Sequence, residues 1–238
     1  MTFSEKQLTD HLTATSNEQL LPVYFLYGDE PFLTSTYARR LRERAEQPDF
    51  NLHIFDGQAT ALDSIEAAAE TLPVMAARSF VVVKDFDAAA SAAATDRMIA
   101  LLENPSPDTV LVLYQSGVKA DVKKGARWKA LLAAANKGGV SVCLDRRNAE
   151  ETARLLVSGA IRRGCTLSTA TARQMLERSG NDLYLLMREL DKFCALAGEG
   201  GTITEAHLAA LAQLSWKRAC SISPKRCCGG RWDRYIRC

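Results

Sequence analysis

Five short apolar runs, separated by segments of helical pattern, constrain the fold of residues 1–145 more than any other feature. Each run is rich in Val, Leu, Tyr or Phe and has the length of a strand. The intervening segments repeat apolar residues every three or four positions, as amphipathic helices do. Strands that alternate with helices predict an α/β fold with a doubly wound, mainly parallel five-stranded sheet. The runs are Val23–Tyr27, Asn51–Gly57, Ser79–Phe86, Thr109–Gln115 and Val140–Leu144.

Residues 148–214 carry helical patterns without further strand-like runs. Four amphipathic segments follow one another, and three of them end at a glycine that suits a helix C-cap. We therefore predict a small all-helical domain after an α/β domain that spans residues 1–145. The four helices are predicted at Glu150–Arg163, Thr169–Ser179, Leu183–Ala197 and Thr204–Leu214.

Residues 215–238 depart abruptly from this pattern, because cysteine and arginine replace the alanine and leucine of the preceding chain. The cysteine spacing lacks the two ligand pairs that a zinc site needs. A basic arm and a metal or redox segment stay open as alternatives. The abrupt change favours a segment foreign to the fold, such as the product of a frameshift. Its four cysteines are Cys220, Cys227, Cys228 and Cys238.

The charge balance and hydropathy narrow the class of protein. The first 214 residues carry 23 basic and 27 acidic side chains, net −4, so they offer no overall positive field for nucleic acid. The first residues, MTFSEKQLTDHL, lack the apolar core of a secretory signal. The longest apolar runs are far shorter than a membrane span. We expect a cytoplasmic protein with no membrane partner.

The turn after the first strand stands where a nucleotide-binding protein places its phosphate loop. Such a loop reads G-x-x-x-x-G-K-[ST], and its lysine neutralises phosphate charge. Here the turn reads GDEPFLTST, with Gly28 but no lysine, and with Asp29 and Glu30 where phosphate would lie. A magnesium ligand at Asp85 is a weak alternative. The apolar residues Phe80–Val83 of the third strand do not lead directly into this acid, because Lys84 lies between them. We expect no nucleotide, metal or other cofactor.

The remaining catalytic patterns are weak. Ser116 and Lys119 match S-x-x-K, a nucleophile pattern that needs partner motifs absent here, so a polar loop is the favoured interpretation. The histidines His11, His53 and His207 form no pair with metal-ligand or nucleophile–base spacing. The sequence therefore predicts no catalytic site.

A basic cluster follows the fourth strand and surrounds Trp128. A solvated surface is the favoured interpretation, and a phosphate-contacting patch is the alternative. The residues of this possible DNA contact are Lys119, Lys123, Lys124 and Arg127.

An apolar loop precedes the third strand in the segment TLPVMAARS, residues 71–79. Pro73 ends the preceding helix near Thr71. Loops normally expose polar residues, so apolar ones are either buried in the core or offered to a partner. Composition alone favours burial. The four apolar residues are Leu72, Pro73, Val74 and Met75.

Three segments together resemble the delta subunits of bacterial DNA polymerase III clamp loaders. They are PVYFLYGDEPFL, LPVMAARSFVVVKDF, and GNDLYLLMRELDKFCALAG followed by TITEAHLAAL. The resemblance covers about residues 20–214 and implies an AAA+-type fold that has lost its ATP site. The strand, the turn at Gly28 and the following helix would then be kept for packing and assembly, with Gly28, Asp29 and Glu30 as a degenerate nucleotide loop.

The resemblance also implies a function. In this family an apolar tip enters a hydrophobic pocket on the sliding clamp, beta, and favours an open ring that can pass onto primed DNA. Val74 and Met75 match the tip, while Leu72 and Pro73 shape the approach. The implied partners are the clamp, the gamma/tau and delta prime loader subunits, and DNA through the assembly. The subunit has no catalytic site, although its assembly serves a DNA-directed DNA polymerase.

One departure from the family pattern concerns a third domain. In these proteins the small helical domain, called the lid, is followed by a helical collar domain. The resemblance ends before Ser215, so the sequence predicts a truncated or frameshifted chain without the domain that joins the loader's collar in this family. Three alternatives stay open: an active AAA+-like NTPase, a nucleic-acid-binding module that uses the basic cluster and tail, and a chain that folds poorly.

Overall fold

The computed structural model describes residues 1–209, so residues 215–238 and the end of the fourth predicted lid helix lie outside it. The chain divides into one unit that spans Met1–Arg146 and a second that begins at Arg147. The first unit is built on a six-stranded sheet in which every strand pair is parallel. Its strands are β1 (Thr2–Phe3), β2 (Val23–Tyr27), β3 (Leu52–Asp56), β4 (Ser79–Lys84), β5 (Thr109–Tyr114) and β6 (Val140–Cys143).

Helices connect these strands, as parallel pairing requires. The helices of the first unit are α1 (Glu5–Ala14), α2 (Pro31–Arg42), α3 (Pro48–Asn51), α4 (Leu62–Glu70), α5 (Ala92–Glu103) and α6 (Ala126–Gly138). The strand order is β1-β6-β2-β5-β4-β3. The predicted α/β class is therefore confirmed, and the five predicted strands are β2 to β6. The sixth strand, β1, was not predicted, because two residues are too short to show a period.

Burial on both faces explains why the central strands read as continuous apolar runs. All five residues of β2 are buried. One face of the sheet packs on α4, α5 and α6 through a core that includes Phe25, Val83 and Leu131. On the opposite face, α2 contacts β2, β4 and β5 and buries Leu41. Helices thus cover both faces, as in other doubly wound sheets.

Because all strands of the sheet run in the same direction, the connecting loops lie at two opposite edges of the sheet. Residues that follow a strand lie at the carboxyl edge of the sheet, and residues that precede a strand lie at the amino edge. Gly28 follows β2 and therefore lies at the carboxyl edge. Asn51 and Arg78 immediately precede β3 and β4, so they lie at the amino edge. The two predicted site loops are consequently at opposite edges of one sheet.

The second unit is mainly helical. Its helices α7 (Ala149–Ile161), α8 (Thr169–Ser179) and α9 (Leu183–Ala197) are followed by helical residues at 205–209. Side chains of Asn148, Ser168 and Asp182 cap the three long helices by accepting backbone N–H groups. The prediction of an all-helical domain missed one short parallel pair, β7 (Thr166–Leu167) with β8 (Thr202–Ile203). Both strands have two residues, again too few for a period.

Within residues 1–209, no helix is long and apolar enough to cross a membrane. The same residues hold no group of three or more His, Cys, Asp or Glu side chains that could bind a metal ion. The four cysteines of the tail lie outside the described part of the chain.

Candidate functional site

A cleft of about 440 Å³ lies at the carboxyl edge of the sheet, beside the ends of β2 and β6. Open parallel α/β sheets bind their ligands at this edge. The cleft wall alternates acids and lysines, so neither sign of charge dominates it. The lining residues are Tyr27, Gly28, Asp29, Lys119, Ala120, Asp121, Val122, Lys123, Lys124, Cys143 and Asp145.

Gly28 is required by the packing of the protein itself. Its backbone φ is 141°, and a Cβ placed there would lie 2.2 Å from the carbonyl oxygen of Leu144. The same carbonyl accepts the backbone N–H of Glu30 at 3.0 Å, and Leu144 N–H donates to the Tyr27 carbonyl at 2.6 Å. The glycine therefore allows the turn to lie directly against the chain after β6.

Glu30 occupies the helix end that would otherwise attract phosphate. It is the N-cap of α2, and its carboxylate accepts the backbone N–H of Phe32 at 3.3 Å. The side chain is buried, and the next residue, Pro31, has no N–H to offer. A helix N-terminus favours an anion through its free N–H groups and its dipole. Here that anion is part of the chain, so a phosphate would meet a carboxylate instead.

The charge of Asp29 is also matched within the protein. Its carboxylate lies 3.0 Å from the Lys119 ammonium, and its backbone N–H donates to the Asp145 carboxylate at 3.2 Å. Arg146 donates to the Asp29 carbonyl at 3.2 Å. Lys119, the first residue of the predicted basic cluster, therefore pairs with an acid of the predicted nucleotide loop.

The ionisable groups of the cleft floor carry no activated nucleophile. Burial, together with the neighbouring Asp145, raises the pKa of the Cys143 thiol to about 11. Burial and the Cys143 sulfur raise the pKa of the Tyr27 hydroxyl to about 12. Both groups are neutral at pH 7, and a neutral thiol is a poor nucleophile.

Asp85, the weak magnesium alternative, fastens two loops at the carboxyl edge. Its carboxylate accepts the backbone N–H groups of Ser116 (2.6 Å), Gly117 (2.8 Å) and Val118 (3.2 Å). Burial raises the pKa of this carboxyl, but the three N–H donors outweigh burial and hold the pKa below its usual range. The Ser116 hydroxyl donates a hydrogen bond to this carboxylate at 3.2 Å. The Ser116 side chain therefore supports the same loop connection.

The basic cluster and the histidines have ordinary surroundings. Lys123 and Lys124 line the cleft beside Asp121, and Arg127 donates to the Ala89 carbonyl at 2.9 Å. The three histidines lie in separate places. His11 bonds the Tyr24 hydroxyl, His207 accepts the Thr204 N–H, and the Nε2 atom of His53 is buried without a hydrogen-bond partner.

The predicted apolar loop is exposed at the amino edge of the sheet. Met75 is 91% exposed, Leu72 70% and Val74 46%, while Pro73 is half-buried. The interpretation that composition favoured, burial in the core, is therefore wrong. Its failure has a topological cause, because α4 ends at Glu70 and the chain then passes around the amino edge before it enters β4. We call Leu72–Met75 the apolar tip.

The backbone of the apolar tip is held by Asn51, the last residue of α3, and by Glu46, which precedes that helix. The buried Asn51 amide donates to the Val74 carbonyl at 2.9 Å, and its oxygen accepts the Val74 N–H at 2.7 Å. The Glu46 carboxylate accepts the N–H of Ala77 at 3.2 Å. Met75, next to the held residue, has a left-handed φ of 51°. Sequence reasoning missed Asn51 and Glu46, because no local pattern links them to a loop more than twenty residues away.

Large exposed apolar side chains concentrate around this tip. In the first unit they are Met1, Phe50, Ile54, Leu72, Val74 and Met75. Three of these six belong to the tip, while Phe50 lies in α3 and Ile54 lies within β3. The amino edge thus presents an apolar surface with side chains free to contact another protein.

The fold defines an AAA+-like domain, and the turn after β2 carries no lysine. The RuvB Holliday junction branch migration motor of Thermotoga maritima has a similar fold, with a TM-score of 0.55 and 13% identity. That likeness covers 88% of this chain and 69% of RuvB. At this identity the match shows the fold alone.

Closer similarity is found to one family of replication proteins. Residues 24–137 match the model of the family described as DNA polymerase III, delta subunit. The DNA polymerase III subunit delta of Bacillus subtilis is 31% identical over 193 residues, which cover 77% of this chain and 54% of that protein. Residues 24–137 are thus similar to the delta-subunit family of DNA polymerase III, and the similarity to the Bacillus subtilis subunit extends over 193 residues.

A solved delta structure agrees with this relationship. The Bacillus subtilis DNA clamp loader delta protein, YqeN, has a TM-score of 0.63 and 26% identity. The match covers 87% of this chain and 61% of YqeN. The chain thus spans between about half and two thirds of the delta proteins that it matches.

Proposed function

We propose that this chain is a non-catalytic clamp-loader subunit that binds a sliding clamp and favours its open form for loading on primed DNA. The observation that carries the proposal is the apolar tip. Met75 and Leu72 are mostly exposed although they are apolar, and the backbone between them is held by Asn51. Similarity to the delta-subunit family supports a role in the clamp loader.

The energetics of such a contact are favourable. Complete burial of Val74 and Met75 in a partner pocket would contribute about 3–6 kcal/mol, at about 1.5–3 kcal/mol for each side chain. Two residues that contribute this much binding free energy form a hot spot, and surrounding contacts supply the rest of the affinity. The flexible thioether of Met75 suits a pocket that changes shape. Ring opening then follows from a higher affinity of the tip for the open clamp.

The proposed role implies the partners, the cellular location and the roles of the site residues. The partners are the beta clamp, the gamma/tau and delta prime subunits, and DNA through the assembled loader. The subunit works in the cytoplasm, needs no cofactor and has no catalytic residue. Leu72 and Pro73 guide the approach to the pocket, and Val74 and Met75 enter it. Gly28, Asp29 and Glu30 keep the shape of a nucleotide loop without its chemistry.

The two rival functions find less support. An active NTPase would have to bind Mg·ATP against Glu30 and Asp29, which already occupy the helix end and the cleft mouth. A nucleic-acid-binding module would use Lys119, Lys123, Lys124 and Arg127, yet Lys119 pairs with Asp29 and the cleft wall carries further acids. That module predicts DNA affinity that falls steeply with salt.

Clamp binding by the full chain tests the proposal. The beta clamp of the same organism is titrated with the wild-type chain and with Val74→Ala/Met75→Ala, and the dissociation constants are compared. We expect binding that weakens about 100-fold in the variant, because both anchoring side chains are truncated.

The matched control is Leu185→Ala/Leu196→Ala, which shortens two exposed leucines in the second unit. This variant should retain the wild-type affinity. No binding by a wild-type chain that is folded, or equal losses in the two variants, would remove the proposed function.

A further inference from the structure

We infer that Asn51 is a positioning residue for the apolar tip and sets its affinity for the clamp without contacting the clamp itself. This inference rests on the proposed function, because it concerns the same tip and the same partner. It assigns a binding role to a side chain that is 0% exposed.

The hydrogen bonds of Asn51 reach from the end of α3 to the tip. Its Nδ2 donates to the carbonyls of Val74 (2.9 Å) and Glu46 (2.8 Å), and its Oδ1 accepts the N–H of Val74 at 2.7 Å. The carboxamide therefore engages both polar backbone groups of one tip residue, as a neighbouring strand would. A side chain with one donor or one acceptor alone cannot make this pair of bonds.

This pairing fixes the tip at the residue beside Met75. Met75 has a left-handed φ of 51°, a conformation that costs free energy for a residue with a side chain. Surrounding structure must maintain such a conformation. The bonds to Val74 lie one residue away, and the Glu46 carboxylate holds Ala77 on the other side. The exposed Met75 side chain is consequently presented from a backbone fixed at both ends.

A tip that is ordered before binding loses less conformational entropy when it enters a pocket. Removal of the two bonds to Val74 would release the tip while leaving its four side chains intact. At about 0.5–1.5 kcal/mol for each hydrogen bond, and 1.4 kcal/mol for each factor of ten, we expect clamp affinity to fall about tenfold.

The experiment compares the full-length wild type with Asn51→Ala, the isosteric Asn51→Asp and a control, Thr95→Val. Thr95 is as buried as Asn51 and also donates to backbone carbonyls, of Ala88 (2.9 Å) and Ser91 (2.7 Å), but it lies in α5. Two quantities are measured: hydrogen exchange of the Val74 amide in the free chain, and the dissociation constant for the beta clamp.

Asn51→Ala should exchange the Val74 amide at least tenfold faster and bind the clamp about tenfold more weakly. Asn51→Asp keeps the acceptor for the Val74 N–H but loses both donor bonds, so it should weaken clamp binding with a smaller change in Val74 exchange. Thr95→Val should change neither quantity. In a Met75→Ala background, Asn51→Ala should cost much less affinity, because the side chain that it positions is absent. A purely structural role predicts equal losses in both backgrounds.

The outcomes separate the two ideas. In Asn51→Ala, unchanged Val74 exchange, or faster exchange with unchanged clamp affinity, overturns the positioning role while the proposed function stands. A loss of affinity in Thr95→Val equal to that in the Asn51 variants also overturns it. Absence of clamp binding by the wild-type chain removes the proposed function, and the positioning role falls with it.

Discussion

The two edges of the parallel sheet present opposite chemistry. At the carboxyl edge, charged side chains line a cleft, and each acid of the turn after β2 has a partner within the protein. At the amino edge, the backbone of the apolar tip is bound by Asn51, but its side chains point to solvent. One edge has its polar groups satisfied internally, and the other leaves apolar surface uncovered.

This difference indicates where a partner would gain free energy. A ligand in the cleft would have to break the Asp29–Lys119 pair and replace the Glu30 cap, so part of its binding energy would be lost. A partner at the tip displaces only water from Leu72 and Met75, and apolar burial is favourable without exchange of bonds. Position at the customary ligand edge is therefore a poor guide to function in this chain.

The largest effect on stability is expected at Gly28, where the cleft edge is packed most tightly. Gly28→Ala would place a Cβ 2.2 Å from the Leu144 carbonyl oxygen, so the turn must move away from β6. We expect a loss of about 3 kcal/mol in the free energy of unfolding, measured by urea denaturation.

The control for this substitution is Gly180→Ala, where φ is 73° but no atom lies within 4 Å of the added Cβ. That variant isolates backbone strain, which costs about 1 kcal/mol. Equal losses in the two variants would show that Gly28 is kept for its conformation alone, and the packing argument for the cleft edge would fail.

A smaller effect is expected at Asp85, the acid that ties the loops after β4 and β5. Asp85→Asn removes the negative charge that attracts the three N–H donors, at a cost of about 2 kcal/mol near pH 7. Because the folded pKa is held below the usual range, the folded state binds the proton less tightly than the unfolded state does. The contribution is therefore present at neutral pH and is lost as pH falls through the folded pKa.

Denaturation of the wild type and of Asp85→Asn from pH 7 to pH 2 measures this difference. The gap in unfolding free energy should shrink in acid, below about pH 4, where carboxyl groups begin to protonate. The Lys84 ammonium also lies 3.7 Å from this carboxylate. A gap that stays constant with pH would contradict the assigned role of the charged carboxylate.

The sequence predicted those features that repeat within a short window. The strands β2, β4 and β5 were found because burial on both faces makes their residues continuously apolar. The altered turn at Gly28 was equally visible, since a missing lysine needs no structure to be recognised. Strands β1, β7 and β8 were missed because two residues cannot show a period.

Features that depend on distant contacts could not be predicted in the same way. Exposure of Met75 follows from the path of the chain around the amino edge, and composition pointed the other way. Asn51 was assigned to a strand, and nothing near it in sequence indicates that it binds Val74. The pairing of Lys119 with Asp29 likewise joins residues ninety positions apart. The sequence therefore did not show that an acid balances part of the positive charge of the basic cluster.

The smallest effect on stability is expected at the tip. This prediction tests most directly whether the amino edge is uncovered while the carboxyl edge is packed. Leu72→Ala/Met75→Ala shortens two side chains that are 70% and 91% exposed, so folding gains little from them. We expect the free energy of unfolding to change by less than about 0.5 kcal/mol, the usual range for surface substitutions. The buried counterpart Met98→Ala, at 0% exposure, should cost about 2–5 kcal/mol in the same denaturation assay. A tip variant that is destabilised as much as Met98→Ala would mean that these residues pack within the chain. The amino edge would then have no uncovered surface to offer a clamp, because apolar side chains that stabilise the fold are not available to a partner.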